Sequence, residues 1–189
     1  MDAFFTSTGA VFIAEIGDKT QLLSLFLIGR FSSRFAIILG ILAATLLNHG
    51  LSALFGAWVA EWLSPEILKW LVAGSFAAIA LWLLIPDEEN RKDSSVLGLG
   101  AFTATALMFF LAEIGDKTQI ATVVLAASYD ATWWVIVGST IGMLAANVPV
   151  IMAGKWLIQR LPLETARLAA SGLFLVLSVA TVWPGFSGV

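Results

Sequence analysis

Six long apolar stretches follow one another along the chain and leave little sequence between them. They lie at roughly 3–29, 35–60, 66–85, 96–128, 132–160 and 165–183. Each is long enough to cross about 30 Å of hydrocarbon as a helix. Their apolar residues run on continuously instead of alternating with polar ones, which is typical of membrane helices and not of membrane β-strands.

The composition excludes a water-soluble protein. Of the 189 residues, 59% are hydrophobic and 12% are charged, whereas soluble domains carry about 25% charged residues. A chain of this size cannot bury so much apolar side chain in a soluble core. We therefore expect an all-α membrane protein in contact with the lipid bilayer, with no nucleic acid partner and no enzymatic domain. Because cysteine is absent, disulfides and thiolate metal sites are excluded.

The chain contains an internal duplication. A shift of 98 residues aligns 12–86 with 110–184 without a gap, and Glu15 then matches Glu113. We expect a first repeat at 1–86, a short polar cytoplasmic loop at 87–95 and a second repeat at 96–189. Since three spans per repeat is an odd number, the second copy would enter the membrane from the opposite face. The predicted fold is six transmembrane helices arranged as two inverted-topology three-helix repeats, as in many secondary transporters.

Basic residues predict the orientation of these spans. Most of those outside the repeated motif lie at the odd-numbered connections, and the opposite side carries only Lys69. The residues at the odd-numbered connections are Arg30, Arg34, Arg91, Lys92, Arg160 and Arg167, with Lys155 close by. By the positive-inside rule these connections are cytoplasmic, so both termini are expected outside.

One polar string recurs inside an apolar stretch of each half. Residues 15–21 read E-I-G-D-K-T-Q, and residues 113–119 repeat the same seven residues. Charges at membrane depth cost roughly 2.5–3.5 kcal/mol each on insertion scales, so they are expected to face one another or a watery cavity. In a continuous helix, Glu15, Asp18 and Lys19 would share one face. The glycine between them would permit local unwinding.

The two strings together provide only oxygen donors. The candidate ligands are the carboxylates of Glu15, Asp18, Glu113 and Asp116, the hydroxyls of Thr20 and Thr118, and the amides of Gln21 and Gln119. With Lys19 and Lys117 assigned to charge balance, the ionised set carries a net charge of −2. Oxygen donors favour hard cations such as Ca²⁺, Mn²⁺ or Mg²⁺. Protons would compete with such a cation for the same carboxylates.

Two structural interpretations of these polar residues and of the histidine stand beside this one. Glu15–Lys19 and Glu113–Lys117 could be buried ion pairs that only hold the helices together, although this would leave both aspartates unpaired. His49 is the one histidine of the chain. It is expected to be a packing or hydrogen-bonding residue, with proton transfer as the alternative.

The paired strings resemble the E-x-G-D-[KR]-[ST] signature of the Golgi and bacterial cation/proton exchanger family that includes human transmembrane protein 165 (uncharacterised protein family 0016). The resemblance covers essentially the whole chain. It implies exchange of Mn²⁺ or Ca²⁺ for protons, with the motif carboxylates binding the cation and no resident cofactor. The lack of an N-terminal extension and the short loop Pro86–Ser95 favour a bacterial inner-membrane member of the type associated with manganese export.

Four other functions stand beside this expectation, one of them a non-transporting assembly factor. A Ca²⁺/H⁺ antiporter would use the same site. A channel lined by carboxylates would also select cations, but the repeat and the motif lysines favour alternating access. An intramembrane aspartyl protease would need G-x-G-D, and positions 15 and 113 are glutamate.

Overall fold

The computed structural model describes residues 1–85, 98–154, 156 and 163–183. Within these ranges the regular structure is helical and contains no strand, which confirms the expected all-α class. The helices are α1 (Asp2–Glu15), α2 (Lys19–Arg30), α3 (Arg34–Trp62), α4 (Pro65–Leu83), α5 (Ala101–Glu113), α6 (Lys117–Ser128), α7 (Thr132–Ala153) and α8 (Leu163–Val182). The polar loop predicted at 87–95 lies outside the described residues.

Serine and proline mark the starts of the long helices α3 and α4. The Ser33 hydroxyl accepts a hydrogen bond from the Ala36 N–H (3.3 Å), and the Ser64 hydroxyl accepts one from the Ile67 N–H (3.4 Å). Pro65 occupies the first turn of α4, where a missing N–H costs nothing. These side chains satisfy amides that the first helical turn leaves without a backbone partner.

The first and fourth apolar stretches are each divided into two helices. α1 and α2 fall within the first stretch, and α5 and α6 fall within the fourth. At the divisions, Gly17 has φ +83° and Gly115 has φ +75°, a left-handed conformation that side chains disfavour. The apolar stretches 3–29 and 96–128, each long enough for one helix, are therefore interrupted, and the local unwinding that Gly17 was expected to permit occurs in both halves. Hydropathy did not reveal the divisions, because the short helices on both sides of each glycine are themselves largely apolar.

The short helices of each half pack on the long helix of the other half. α1 lies along α7, and α5 lies along α3. A Cβ on Gly142 would come within 2.6 Å of the Thr8 carbonyl oxygen, and one on Gly40 within 2.7 Å of Thr105 Cβ. Glycine at these positions lets the helices approach closely, as is common between membrane helices. At each break the glutamate and the aspartate are buried, whereas Gly115 itself is exposed.

Four of the described helices are long and apolar enough to cross a membrane. They are α3, α4, α7 and, over Glu164–Val182, α8. Each of them exposes large apolar side chains, among them Trp58, Trp70, Trp133 and Val176. Water-soluble monomers rarely expose apolar surface on this scale. The chain is a multi-pass membrane protein.

Candidate cation site

Each helix break places a glutamate and an aspartate beside each other. Glu15 ends α1, and Asp18 caps the start of α2 by accepting a backbone hydrogen bond from its first turn. Glu113 and Asp116 hold the equivalent places at the end of α5 and the start of α6. The prediction that Glu15, Asp18 and Lys19 share a face of one helix is wrong, because the helix ends at Glu15. Their proximity comes from the turn instead.

The two breaks meet, and their carboxylates converge. One carboxylate oxygen from each of Glu15, Asp18 and Glu113 lies within 4.8 Å of the other two. All three side chains are buried, and so is Asp116. We call these four residues the acid cluster. Oxygens at this spacing surround a space suited to a single coordinated cation.

Each motif lysine forms an ion pair with the aspartate of the other half. Lys117 Nζ lies 2.6 Å from Asp18 Oδ1, and Lys19 Nζ lies 3.1 Å from Asp116 Oδ2. In the ion pairs of the described residues, each lysine thus bonds to an aspartate of the other string instead of the glutamate of its own. The crossed pairs balance the charge of the aspartates and tie the two halves together.

The motif threonines hold the glutamates. Thr20 Oγ1 donates a hydrogen bond to Glu15 Oε2 (2.7 Å), and Thr118 Oγ1 donates one to Glu113 Oε2 (3.0 Å). In both glutamates the second oxygen, Oε1, is buried and has no hydrogen-bond partner within the described part of the chain. A buried carboxylate oxygen without a donor is costly. A proton or a cation bound there would remove that cost.

The motif glutamines stabilise the breaks. Gln21 Oε1 accepts a hydrogen bond from the Gly17 N–H (3.0 Å), and Gln119 Oε1 accepts one from the Gly115 N–H. The amide of Gln21 also donates to the carbonyl of Ala146 in α7 (3.1 Å). Both amide oxygens therefore bond to backbone in this structure.

Further polar side chains connect the broken helices to the long ones. Ser24 Oγ donates to Asn147 Oδ1 (3.0 Å) between α2 and α7, and Asn48 Nδ2 donates to the Phe110 carbonyl (3.1 Å) between α3 and α5. The sequence reasoning overlooked Ser24 and Asn48, although polar residues inside an apolar stretch are a usable signal. His49 is buried, and neither ring nitrogen has a hydrogen-bond partner among the residues described.

The chemistry of this site suits a hard divalent cation. Its donors are oxygens, and its four carboxylates and two ammonium groups would carry a net charge of −2 if all were ionised. Ca²⁺, Mn²⁺ and Mg²⁺ prefer such donors. A multi-pass membrane protein that encloses a buried acidic site of this kind belongs, by fold and site, to the transporters of cations.

Sequence comparison identifies the family. The family described as "Divalent cation/proton antiporter GDT1" matches residues 3–91 and again residues 101–189. The chain belongs to this family. The resemblance inferred from the two E-x-G-D-K-T strings is confirmed.

Similar proteins occur in bacteria and in yeast. A Vibrio cholerae protein named "Putative manganese exporter" is 50% identical over 184 residues, covering 97% of this chain and 92% of its own length. A GDT1-like protein of Synechocystis sp. is 27% identical over 202 residues, with 97% and 98% covered. The "Divalent cation/proton antiporter GDT1" of Saccharomyces cerevisiae is 35% identical over 81 residues, with 43% and 29% covered. No solved structure matches the chain.

Proposed function

We propose that this protein exports Mn²⁺ from the cytoplasm in exchange for protons, and that the acid cluster binds both substrates. The observation that carries the proposal is the buried convergence of Glu15, Asp18 and Glu113 from two halves of the chain. The cation and the protons are substrates, so no resident cofactor and no enzymatic step is involved. The ligands are Glu15, Asp18, Glu113 and Asp116, with Thr20, Thr118, Gln21 and Gln119 in supporting roles.

Competition for the glutamates couples the two fluxes. Glu15 and Glu113 each keep one buried oxygen without a hydrogen-bond partner in the described ranges. That oxygen can take a proton or a metal–oxygen bond, but not both. Two protons replacing one divalent cation leave the charge of the cluster unchanged, so either form can cross the membrane without an uncompensated buried charge. Lys19 and Lys117 balance the aspartates in both forms.

The proposal includes six membrane crossings in two inverted repeats, 1–86 and 96–189, joined by a cytoplasmic loop at 87–95. The packing of α1 on α7 and of α5 on α3 supports it. A shift of 98 residues maps α1 onto α5 and α3 onto α7, so these two contacts are equivalent in the two halves. Each broken pair, α1–α2 and α5–α6, then makes one crossing with its break near the midplane. Discontinuous helices of this kind form the binding sites of other transporters.

We place the protein in the bacterial inner membrane with both termini in the periplasm. Arg30 at the end of α2, Arg34 at the start of α3, and Arg91 and Lys92 in the central loop would then be cytoplasmic. Lys69, near the start of α4, would be on the outer side. The Vibrio cholerae relative supports a bacterial setting.

We propose manganese as the substrate because the Vibrio relative is named for it, and half of the aligned residues are identical in the two chains. Calcium is the second candidate. The all-oxygen donor set suits both ions, which differ in size and in the number of ligands they take.

The first experiment measures exchange in liposomes that contain the purified protein and a pH-sensitive dye. Mn²⁺, Ca²⁺ or Mg²⁺ is added outside, and wild type is compared with Glu113→Gln. We expect cation-triggered proton release in wild type and a loss of at least about tenfold in the variant, since weakening even an outer partner of a metal ligand costs that much. Glu66→Gln, which changes an exposed carboxylate at the start of α4, is the matched control.

The outcomes separate the competing functions. An imposed proton gradient should drive Mn²⁺ uphill through an exchanger, whereas a channel only dissipates the cation gradient. Cation entry without proton movement would indicate a channel. Equal fluxes in wild type and Glu113→Gln would exclude the acid cluster as the site.

A further inference from the structure

The two halves of the chain are related by a shift of 98 residues, so equivalent positions lie at the two ends of the molecule. The packing at these positions can be compared directly. A Cβ placed on Gly56 of α3 would overlap the carbonyl oxygen of Val123 in α6. At the matching Gly154, which ends α7, the nearest atom among the described residues is Ile28 Cδ1 of α2, at 3.8 Å. α3 therefore packs directly against the backbone of α6 at Gly56, whereas the contact described at Gly154 is with the end of a side chain.

A hydrogen bond adds to the closure on the α6 side. Tyr129, which follows α6, donates from its hydroxyl to Thr6 Oγ1 of α1 (3.2 Å). The matching residues of the other half are Phe31 and Ala104. Neither has a hydroxyl, so the equivalent bond cannot form at the α2 end.

The motif lysines show the same asymmetry. The Lys19 side chain, at the start of α2, is 19% exposed, whereas that of Lys117, at the start of α6, is 3% exposed. Both lysines bond to the acid cluster. The lysine at the start of α6 is thus better shielded than the lysine at the start of α2.

We propose that this structure is the conformation closed at the α6 end, and that Tyr129 and Thr6 form a gate that holds it closed. Transport then requires this gate to open while α2 closes on α7 around Gly154. Tyr129 and Thr6 act as positioning residues that set the balance between the two conformations. The inference rests on the proposed function only in assigning the two conformations to a transport cycle.

The absence of cysteine from the chain makes the gate measurable. Ala10→Cys on α1 provides a reporter, because Ala10 is fully buried and belongs to the same apolar cluster as Ala121 and Leu125 of α6. The rate at which a polar thiol reagent modifies this cysteine is measured in detergent micelles. Tyr129→Phe and Thr6→Val should each raise the rate by about 2- to 10-fold, the effect of losing one hydrogen bond. Combining them should raise it no further, because both remove the same bond.

A matched control separates the gate from general loosening of the fold. Thr181→Val removes a threonine hydroxyl that bonds within α8, to the Leu177 carbonyl, and should leave the rate unchanged. In a second test, Gly56→Ala should raise the rate by forcing α3 away from α6. Gly50→Ala on the same helix, where a Cβ would meet nothing within 4 Å, should not. Ala121→Cys on α6, also fully buried, serves as a second reporter.

The inference is overturned if Tyr129→Phe and Gly56→Ala leave both reporters at the wild-type rate, or if Thr181→Val and Gly50→Ala raise the rates equally. The labelling rate depends on neither cation nor exchange. Faster labelling of the variants without any cation/proton exchange would contradict the proposed function and support the gate. Exchange by the wild type without faster labelling of the variants would support the proposed function and contradict the gate.

Discussion

The four acidic residues of the acid cluster all have a carboxyl group but differ in their surroundings. Asp18 and Asp116 are paired with lysines across the two halves. Glu15 and Glu113 are held by threonine hydroxyls, and each keeps one oxygen without a partner among the described residues. The aspartates are therefore suited to holding the halves together, and the glutamates to exchanging a proton for a cation.

Removing a buried lysine should destabilise the protein. Lys117→Met should lower the free energy of unfolding by about 3–5 kcal/mol, because it leaves the carboxylate of Asp18 buried without its ammonium partner. Lys19→Met should cost less, since the Lys19 side chain is 19% exposed and its ion pair is already partly solvated. Denaturant unfolding in detergent micelles, followed by tryptophan fluorescence, measures both.

A second substitution tests the cause of this loss. Asp18→Asn in the Lys117→Met background removes the buried charge that Lys117 balanced and should restore part of the stability. If the double variant is no more stable than Lys117→Met alone, the crossed ion pair is not the reason for the loss.

The helix breaks are the structural elements on which the site depends. A continuous helix would satisfy the backbone amides at Gly17 and Gly115 internally, whereas the breaks leave them to the amide oxygens of Gln21 and Gln119. The breaks also place a glutamate at the end of one helix and an aspartate at the start of the next. The same seven residues would present a different surface if either glycine became helical.

Gly115→Ala should lower the free energy of unfolding by about 1–2 kcal/mol, the cost of a left-handed conformation for a residue with a side chain. Crowding is not the reason, because a Cβ at this position would meet nothing within 4 Å. Gly74→Ala, inside α4 and equally uncrowded, should be neutral or stabilising by about 0.5–1 kcal/mol. The denaturant midpoints of the two variants measure this difference in stability. Equal losses of stability in Gly115→Ala and Gly74→Ala would contradict the left-handed conformation as the cause.

The whole molecule makes one site from two halves that are each incomplete. The three converging carboxylates come from both halves, and both lysine–aspartate pairs cross between them. A cation bound in the cluster would therefore hold the halves together.

Mn²⁺ should raise the melting temperature of the protein. A ligand present at 100 times its dissociation constant adds about 2.7 kcal/mol to the stability of the form that binds it. Because the cation binds deprotonated carboxylates, protons compete with it, and the stabilisation should shrink as the pH falls. The fluorescence of the eight tryptophans reports melting, with choline chloride of equal ionic strength as the reference. A shift of the same size in Glu113→Gln would place the cation elsewhere.

Much of the class and the site could be predicted from the sequence. Continuous apolar stretches can be recognised because a helix that crosses a bilayer requires them. A charged string inside such a stretch stands out because the free-energy cost of burying its charges must be offset by function or by ion pairing. The repeated string identified the eight candidate ligands and the family. None of this requires knowing which residues touch.

The partners of those residues depended on the folded chain. Spacing along a helix left a Glu15–Lys19 pair open as an alternative, whereas the structure pairs Lys19 with Asp116. The reason is that the turn at Gly17 separates the two helices and packing between the halves brings the second break close. The closed end, marked by Tyr129 and Thr6, was equally invisible to local patterns. Local periodicity carries information over a few residues, while contacts between residues about a hundred positions apart are set by how α1 lies on α7 and α5 lies on α3.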